Sequence, residues 1–323
     1  MKRTPHFFRM PFWLAMTTGA RLAVFVFGAL FSCAGAGAIE GEEAATRASS
    51  ITPEERAAAR RLEGKPHYLF LETGNRLTGE VLSYTEERLT FRQGNAEFSF
   101  PRERIASLSL PGGKLLREAR ELARKGRPEE GVPLATAVWR HRVPYLDLLP
   151  PEDLFALIQV IELNLYHGDP YLAFGAARKL RTLVDDPSVT QRLEALELLG
   201  AYHLPIKTQA WALAEAGVAE SPRYGPSALP FFVLAMLQLE DETPEAALET
   251  ALRPVIFSSQ LPMAYLGECY AVAITAAVEL EEPETARALA EEMQARSFAW
   301  PGQAILIPGK PTYETASSLT SQP

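Results

Sequence analysis

The stretch Gly168-Asp169-Pro170-Tyr171-Leu172-Ala173 decides the fold of this chain. It lies between two segments of helical periodicity and predicts a tight turn. Proline cannot continue the first helix, but it fits the first turn of the second, where its missing N–H would have no partner. Turns of this kind recur at intervals of 42, 35, 39 and 39 residues and are marked by Pro128, Pro170, Pro205, Pro244 and Pro283.

A small residue follows most of these prolines by three positions, which lets the two helices approach closely. It is Gly131, Ala173, Ala247 or Ala286 in four units, whereas the third unit has Thr208 there. A period of this length is typical of stacked helical hairpins. It predicts five hairpins within residues 114–297: 115–125 with 129–140, 151–167 with 171–184, 189–203 with 207–219, 228–239 with 244–257, and 263–281 with 284–296.

The hydrophobic period changes to two in residues 66–111, which predicts four or five short strands. So short a region favours a small closed β-barrel, because closure removes exposed strand edges. Gly79 lies within a strand, where a missing side chain permits the sharp bend that a small barrel needs. The predicted fold class is therefore α+β and multidomain, a small β-barrel followed by an all-α solenoid of about five helical hairpins.

Two family resemblances accompany these patterns. In the third unit Ala210, Ala214, Gly217 and Pro222 match the second-helix spacing of tetratricopeptide repeats, although the first-helix tryptophan of that family is absent. Residues 72–81 and 98–108 resemble strands of Sm-like and SH3-like small barrels. Sm-like barrels often bind RNA, but the RNA-contacting Asn and Arg-Gly pattern is missing here. The resemblance therefore implies a docking or spacer module before a protein-binding repeat.

The N-terminus has the order basic, apolar, small, which predicts a signal peptide at residues 1–38 and a protein exported to the periplasm or cell envelope. Its apolar run is short for a membrane span, which needs roughly 20 residues. Two A-x-A cleavage sites end at Ala36 and Ala38, whereas residues 30–33 resemble a bacterial lipobox that would lipidate Cys33. Both alternatives stay open. Residues 39–65 are expected to form a linker with an exposed short helix capped by Thr52.

Charge narrows the class of partner. The net charge is −8, and removal of residues 1–38, with four basic residues and no acid, would make it −12. So acidic a surface repels nucleic acid and anionic lipid headgroups and favours basic partners. We therefore expect no nucleic-acid partner, and membrane association only through an N-terminal lipid.

Motifs for chemistry are missing from the sequence. The histidines lack metal-ligand spacing, Cys269 lies alone in an apolar helix pattern, and no nucleotide-binding or hydrolase motif occurs. Acid pairs such as Glu129-Glu130 and Asp185-Asp186 suit glycoside hydrolysis in principle, but they fall at predicted turns. The sequence predicts no catalytic residue, no cofactor and no metal.

The expected function is a noncatalytic envelope scaffold that binds a protein or peptide through the surface of its first helices. The alternatives are a polysaccharide-processing enzyme that uses acidic residues, and a purely structural component of the cell surface. Residues 298–323 are expected to cap the last hairpin and end in a disordered tail. The predicted partner-binding residues are Gln159, Asn164, Gln191, Arg192, Glu194, Gln238 and Glu268.

Overall fold

The computed structural model describes residues 51–221, 227–257 and 263–299. The predicted signal peptide, Cys33 and the tail beyond residue 299 lie outside these ranges. The described chain forms a short helix, then a five-stranded antiparallel sheet, then ten helices packed pairwise. The α+β class with a helical repeat region is thereby confirmed. Among the described residues, no helix has both the length and the apolar character needed to cross a membrane.

The elements are as follows. Helix α1 spans Pro53–Arg60, and the strands are β1 His67–Leu71, β2 Arg76–Tyr84, β3 Arg88–Gln93, β4 Ala96–Pro101 and β5 Ile105–Ser109. The first helices of the five pairs are α2 Gly113–Arg124, α4 Pro151–His167, α6 Pro187–Tyr202, α8 Leu229–Glu240 and α10 Leu266–Glu279. The second helices are α3 Pro128–Arg142, α5 Pro170–Arg181, α7 Thr208–Glu220, α9 Pro244–Phe257 and α11 Pro283–Ala295. A 3₁₀ segment at Val143–Leu148 links the first two pairs.

The sheet has the strand order β4-β3-β2-β1-β5, and β2 changes its pairing partner partway along its length. The first half of β2 pairs with β1 as far as Gly79, and the second half pairs with β3 from Glu80 onward. At Gly79 a Cβ atom would lie 2.0 Å from the carbonyl oxygen of Arg92, so β3 crosses too closely for any side chain. The missing side chain at Gly79 is therefore needed for the close approach of β3, and the bend expected at this residue stays a prediction.

The turn prolines confirm the hairpin pattern in four of the five pairs. Pro128, Pro170, Pro244 and Pro283 are each the first residue of a second helix. The third pair differs, because Pro205 lies in the connecting loop and α7 begins three residues later at Thr208.

Small residues allow close packing within each pair. Ala173, Ala247 and Ala286 are fully buried, and a Cβ at Gly131 would lie 2.8 Å from the carbonyl oxygen of Ala119 in the facing helix. In the third pair the buried small residue is Ala210 rather than Thr208, which is exposed. The buried small residue lies two positions later than predicted because α7 begins three residues after Pro205.

The pairs stack in sequence order. Each first helix contacts the next first helix along the chain, and each second helix contacts the first helix of the following pair. The first helices therefore form one row. A single hydrophobic core continues from Leu62, through the sheet, to Met293 in α11.

The sheet is joined to the helical region by polar contacts, among them one that is buried and one that is exposed. Arg142 is 2% exposed; its Nη2 donates to the carbonyl oxygen of Leu110 at 2.9 Å, and its Nη1 lies 3.2 Å from Asp153 Oδ1. Arg102, just before β5, donates from Nη2 to the carbonyl oxygen of Asp147 at 2.9 Å. The sheet and helices thus share both a core and hydrogen bonds.

Helix α1 differs from the exposed helix expected for residues 39–65. Thr52 caps it as predicted, its Oγ1 accepting from the Glu55 N–H at 3.1 Å. However, Ala58 and Leu62 are buried, and α1 packs against α3. The small side chain of Ala58 makes this contact possible without the wide apolar face that the sequence lacks.

Candidate partner-binding grooves

The row of first helices carries a groove that we name the first-helix groove. It has a volume of about 570 Å³ and spans three consecutive first helices, α2, α4 and α6. Its volume lies within the range of about 300–1,000 Å³ that is usual for ligand sites. The groove is lined by Arg120, Ala123, Arg124, Phe155, Ile158, Gln159, Glu162, Leu163, Tyr166, His167 and Arg192.

Polar side chains tie the three helices together at this groove. Arg120 Nε donates to Gln159 Oε1 at 3.2 Å, and Gln159 Nε2 donates to the carbonyl oxygen of Leu116 at 2.9 Å. On the other side Arg192 Nε donates to Glu162 Oε1 at 3.1 Å. These bonds fix the positions of two guanidinium groups along the groove.

Two aromatic side chains of α4 remain open to solvent in the same groove. Phe155 is 39% exposed and Tyr166 is 58% exposed. Large apolar side chains beside arginines are typical of the central residues of protein interfaces. The groove can therefore bind both an apolar side chain and an anionic group.

A second groove, named the α6–α7 groove, has a volume of about 410 Å³ and the opposite charge. Glu194 and Glu220 line it, together with Glu197, which is buried and accepts from Arg181 Nε at 2.8 Å. Its other described lining residues are Gln191, Ala195, Leu198, Leu213, Ala216, Gly217, Ser221, Ser227, Leu229 and Pro230.

The predicted partner-binding residues divide between these places. Gln159 and Arg192 line the first-helix groove, whereas Gln191 and Glu194 line the α6–α7 groove. Asn164 is 1% exposed, so its placement on a binding surface was wrong. Its Nδ2 donates to the carbonyl oxygen of Val160 at 2.9 Å and to Thr136 Oγ1 at 3.2 Å. Five residues along a helix turn the side chain by about 140°, which takes Asn164 away from the face of Gln159.

The last two predicted residues lie outside both grooves. Gln238 is half-buried in α8, and its Oε1 is buried without a hydrogen-bond partner among the described residues. Glu268 is half-buried in the first turn of α10. The pKa of the neighbouring Tyr265 is raised to about 12, first by burial and then by the charges of Tyr166 and Glu268.

The sequence did not single out most residues of the first-helix groove. Arg120 and Arg124 are four positions apart on α2, and Phe155 and Tyr166 belong to an α4 stripe with Gln159 and Glu162. The spacing of four, three and four in that stripe places its members on one helical face. This spacing in the sequence could have predicted that Phe155 and Tyr166 lie on the same face of α4 as Gln159.

Groups that could support chemistry occupy structural positions. Glu197 is the one carboxylate among the buried polar residues of the described chain, and it is paired with Arg181. Cys269 is fully buried in α10, and burial raises the pKa of its thiol. In the described ranges, no group of three or more His, Cys, Asp or Glu side chains is arranged to hold a metal ion.

A scan against protein-family models, a search of the curated proteins and a search of the solved structures each returned no match. The fold defines the chain as an α+β protein with a five-stranded antiparallel sheet and a helical-repeat-like region.

Proposed function

We propose that this protein is a noncatalytic scaffold of the bacterial cell envelope that holds an extended segment of another protein in the first-helix groove. The main support is that one groove crosses three consecutive first helices. It presents the exposed side chains of Phe155 and Tyr166 beside Arg120 and Arg192, whose positions are fixed by hydrogen bonds. A repeat surface of this kind binds along several helices at once, which suits a polypeptide segment.

The family resemblances support the same proposal. The contacts between successive first helices are those expected of a tetratricopeptide-like stack. The strand order, with a change of pairing partner at Gly79, is compatible with an SH3-like or Sm-like barrel. Because the sheet shares a core with the first helical pair, we propose that it fixes the end of the stack rather than acting as a mobile spacer.

Export is part of the proposal and rests on residues 1–38. Their basic, apolar and small segments follow the order of a secretion signal. The mature protein then begins near Ile39, or at an acylated Cys33 if the lipobox is used.

Affinity purification of the tagged protein from envelope extract tests the binding proposal. We compare the wild type with the double variant Phe155→Ala/Tyr166→Ala and with the control Ile256→Ala. The control residue is 68% exposed and lies on the second helix α9, away from the groove. We expect a reproducible protein partner that is lost with the double variant and retained by the control.

If the double variant retains the partner as well as the control does, binding in the first-helix groove is contradicted. Mass spectrometry of the same purified sample gives the mature N-terminus. An intact segment 1–38 would contradict export, whereas an unmodified start near Ile39 would exclude acylation of Cys33.

A further inference from the structure

We propose that the segment held in the first-helix groove is acidic and carries an apolar side chain among its acids. This inference rests on the proposed function and specifies the chemistry of the partner. It reverses the expectation from the whole chain, whose net charge of −8 favours basic partners.

The first argument is the balance of charge in the groove. Its lining includes three arginines, Arg120, Arg124 and Arg192, and one carboxylate, that of Glu162. Glu121 lies 3.4 Å from Arg124 at the rim, but both side chains are more than half exposed, so solvent screens this pair strongly. Within the described ranges, Arg120 has no carboxylate within 4 Å of its guanidinium. The groove is therefore locally basic.

The second step is that Arg120 is positioned in advance. Gln159 accepts from its Nε, and Gln159 is itself held by the carbonyl oxygen of Leu116. An arginine has five N–H donors, so the terminal nitrogens of Arg120 remain able to bind a carboxylate in a two-point contact. Fixing the guanidinium beforehand reduces the entropy that binding costs.

The Arg192–Glu162 pair, whose two residues both line the groove, competes with such a ligand. The Arg192 side chain is 57% exposed and that of Glu162 is 34% exposed. Ion pairs that solvent reaches are weak, so a ligand carboxylate can share or replace Glu162 at small cost.

The aromatic residues indicate an extended polypeptide rather than a small anion. Phe155 and Tyr166 are eleven positions apart on α4, which corresponds to about 16 Å along the helix axis. An extended chain covers this distance with about five residues. Such a segment reaches both aromatic side chains and the arginines between and beside them.

The test uses the purified full chain and three fluorescein-labelled peptides of about a dozen residues. The acidic peptide contains several Glu residues with one Phe and one Leu, and the other two carry Lys or Gln in place of every Glu. Fluorescence polarisation is measured at low and at high salt, because salt screens exposed charges. We expect the acidic peptide to bind at least about tenfold more tightly than the other two, with the difference reduced by salt.

The matched variants are Arg124→Glu and Arg178→Glu. Both arginines are exposed and lie in the last turn of a helix, but Arg178 is on the second helix α5. We expect Arg124→Glu, alone and with Arg120→Glu, to weaken acidic-peptide binding by at least about tenfold. Arg178→Glu should leave it unchanged, and circular dichroism should show that all variants remain folded.

Three results would overturn the proposal. Equal or tighter binding of the Lys peptide would show that the groove does not select acids. Acidic-peptide binding that Arg120→Glu/Arg124→Glu leaves unchanged would place it elsewhere, and complete displacement by millimolar free glutamate would indicate a small-anion site. In each case the proposed function would stand if the purification experiment still gave a partner that depends on Phe155 and Tyr166. If the groove neither selects the acidic peptide nor retains such a partner, the proposed function is contradicted as well.

Discussion

Arg120 and Arg142 lie in the same helical pair, and their surroundings give them different roles. Arg142 is almost completely buried and bonded to the backbone at Leu110, so it joins the sheet to the helices. Arg120 is exposed, and its contact with Gln159 leaves its terminal nitrogens open to solvent. A buried arginine without partners would be very costly, whereas an exposed one remains able to bind a ligand.

The histidine pair between the sheet and α3 predicts sensitivity to acid. The rings of His67 and His141 are 5.6 Å apart, and the Val81 N–H donates to His67 Nδ1 at 3.0 Å, which requires that this nitrogen be deprotonated. Burial lowers the pKa of both imidazoles, that of His141 to about 4, with the charges of His67 and Arg142 adding to the effect on His141.

The sign of the pH dependence follows from these lowered pKa values. The unfolded chain binds protons near its ordinary histidine pKa of about 6.5, before the folded protein does. The free energy of unfolding should therefore fall as pH decreases from about 6.5 to about 4, by on the order of 2 kcal/mol. Urea unfolding across this range should show a shallower decrease for His141→Gln than for the wild type. His167→Gln, an exposed control at the end of α4, should retain the wild-type slope; equal slopes for all three would contradict the prediction.

At the scale of elements, α4 serves the core and the groove with two faces. Its core face is formed by Leu154, Leu157, Ile158, Ile161 and Leu165, all buried. The groove stripe begins one position after the first of these, at Phe155. Because a helix turns 100° per residue, neighbouring positions fall on different faces, and one helix supplies both stability and a binding surface.

The close approach of α2 and α3 predicts opposite outcomes for two helical glycines. An added Cβ at Gly131 would lie 2.8 Å from the carbonyl oxygen of Ala119, whereas at Gly175 in α5 it would meet nothing within 4 Å. Gly131→Ala should destabilise the protein by about 1–3 kcal/mol, because the helices must move apart. Gly175→Ala should stabilise it by about 0.5–1 kcal/mol, the difference in helix propensity. Urea midpoints measure both; a stable Gly131→Ala would show that the pair is not tightly packed.

At the scale of the whole molecule, one core connects the sheet to the helical stack. The contacts of Arg142, Arg102 and the histidine pair cross the boundary between them. The charge of a groove also differs from the charge of the whole chain, since this acidic chain presents one basic groove and one acidic groove, and α6 lines both.

The shared core predicts that the sheet and the first helical pair unfold together. Hydrogen exchange followed by mass spectrometry in increasing urea should show peptides from β1 and α3 losing protection at the same concentration, because neither buries its apolar residues alone. The helical pair α10 and α11, which does not contact the sheet, serves as the comparison within the described chain. Loss of protection in β1 well before α3 would show that the sheet is an independent module.

The sequence by itself determined the helical pairs and the region of short strands, since these depend on local rules. A proline at the first turn, with a small residue three positions later, favours a helical pair. An alternating hydrophobic pattern, as around Gly79, favours strands. Tertiary structure alone decided which polar residues share a groove. Asn164 and Gln159 look alike in sequence, but Asn164 is buried between helices, whereas Gln159 is half-buried and lines the groove. Arg120 and Arg192 are distant in sequence, and the stacking of successive first helices brings them to one surface, because that placement depends on packing between repeats rather than on any local pattern.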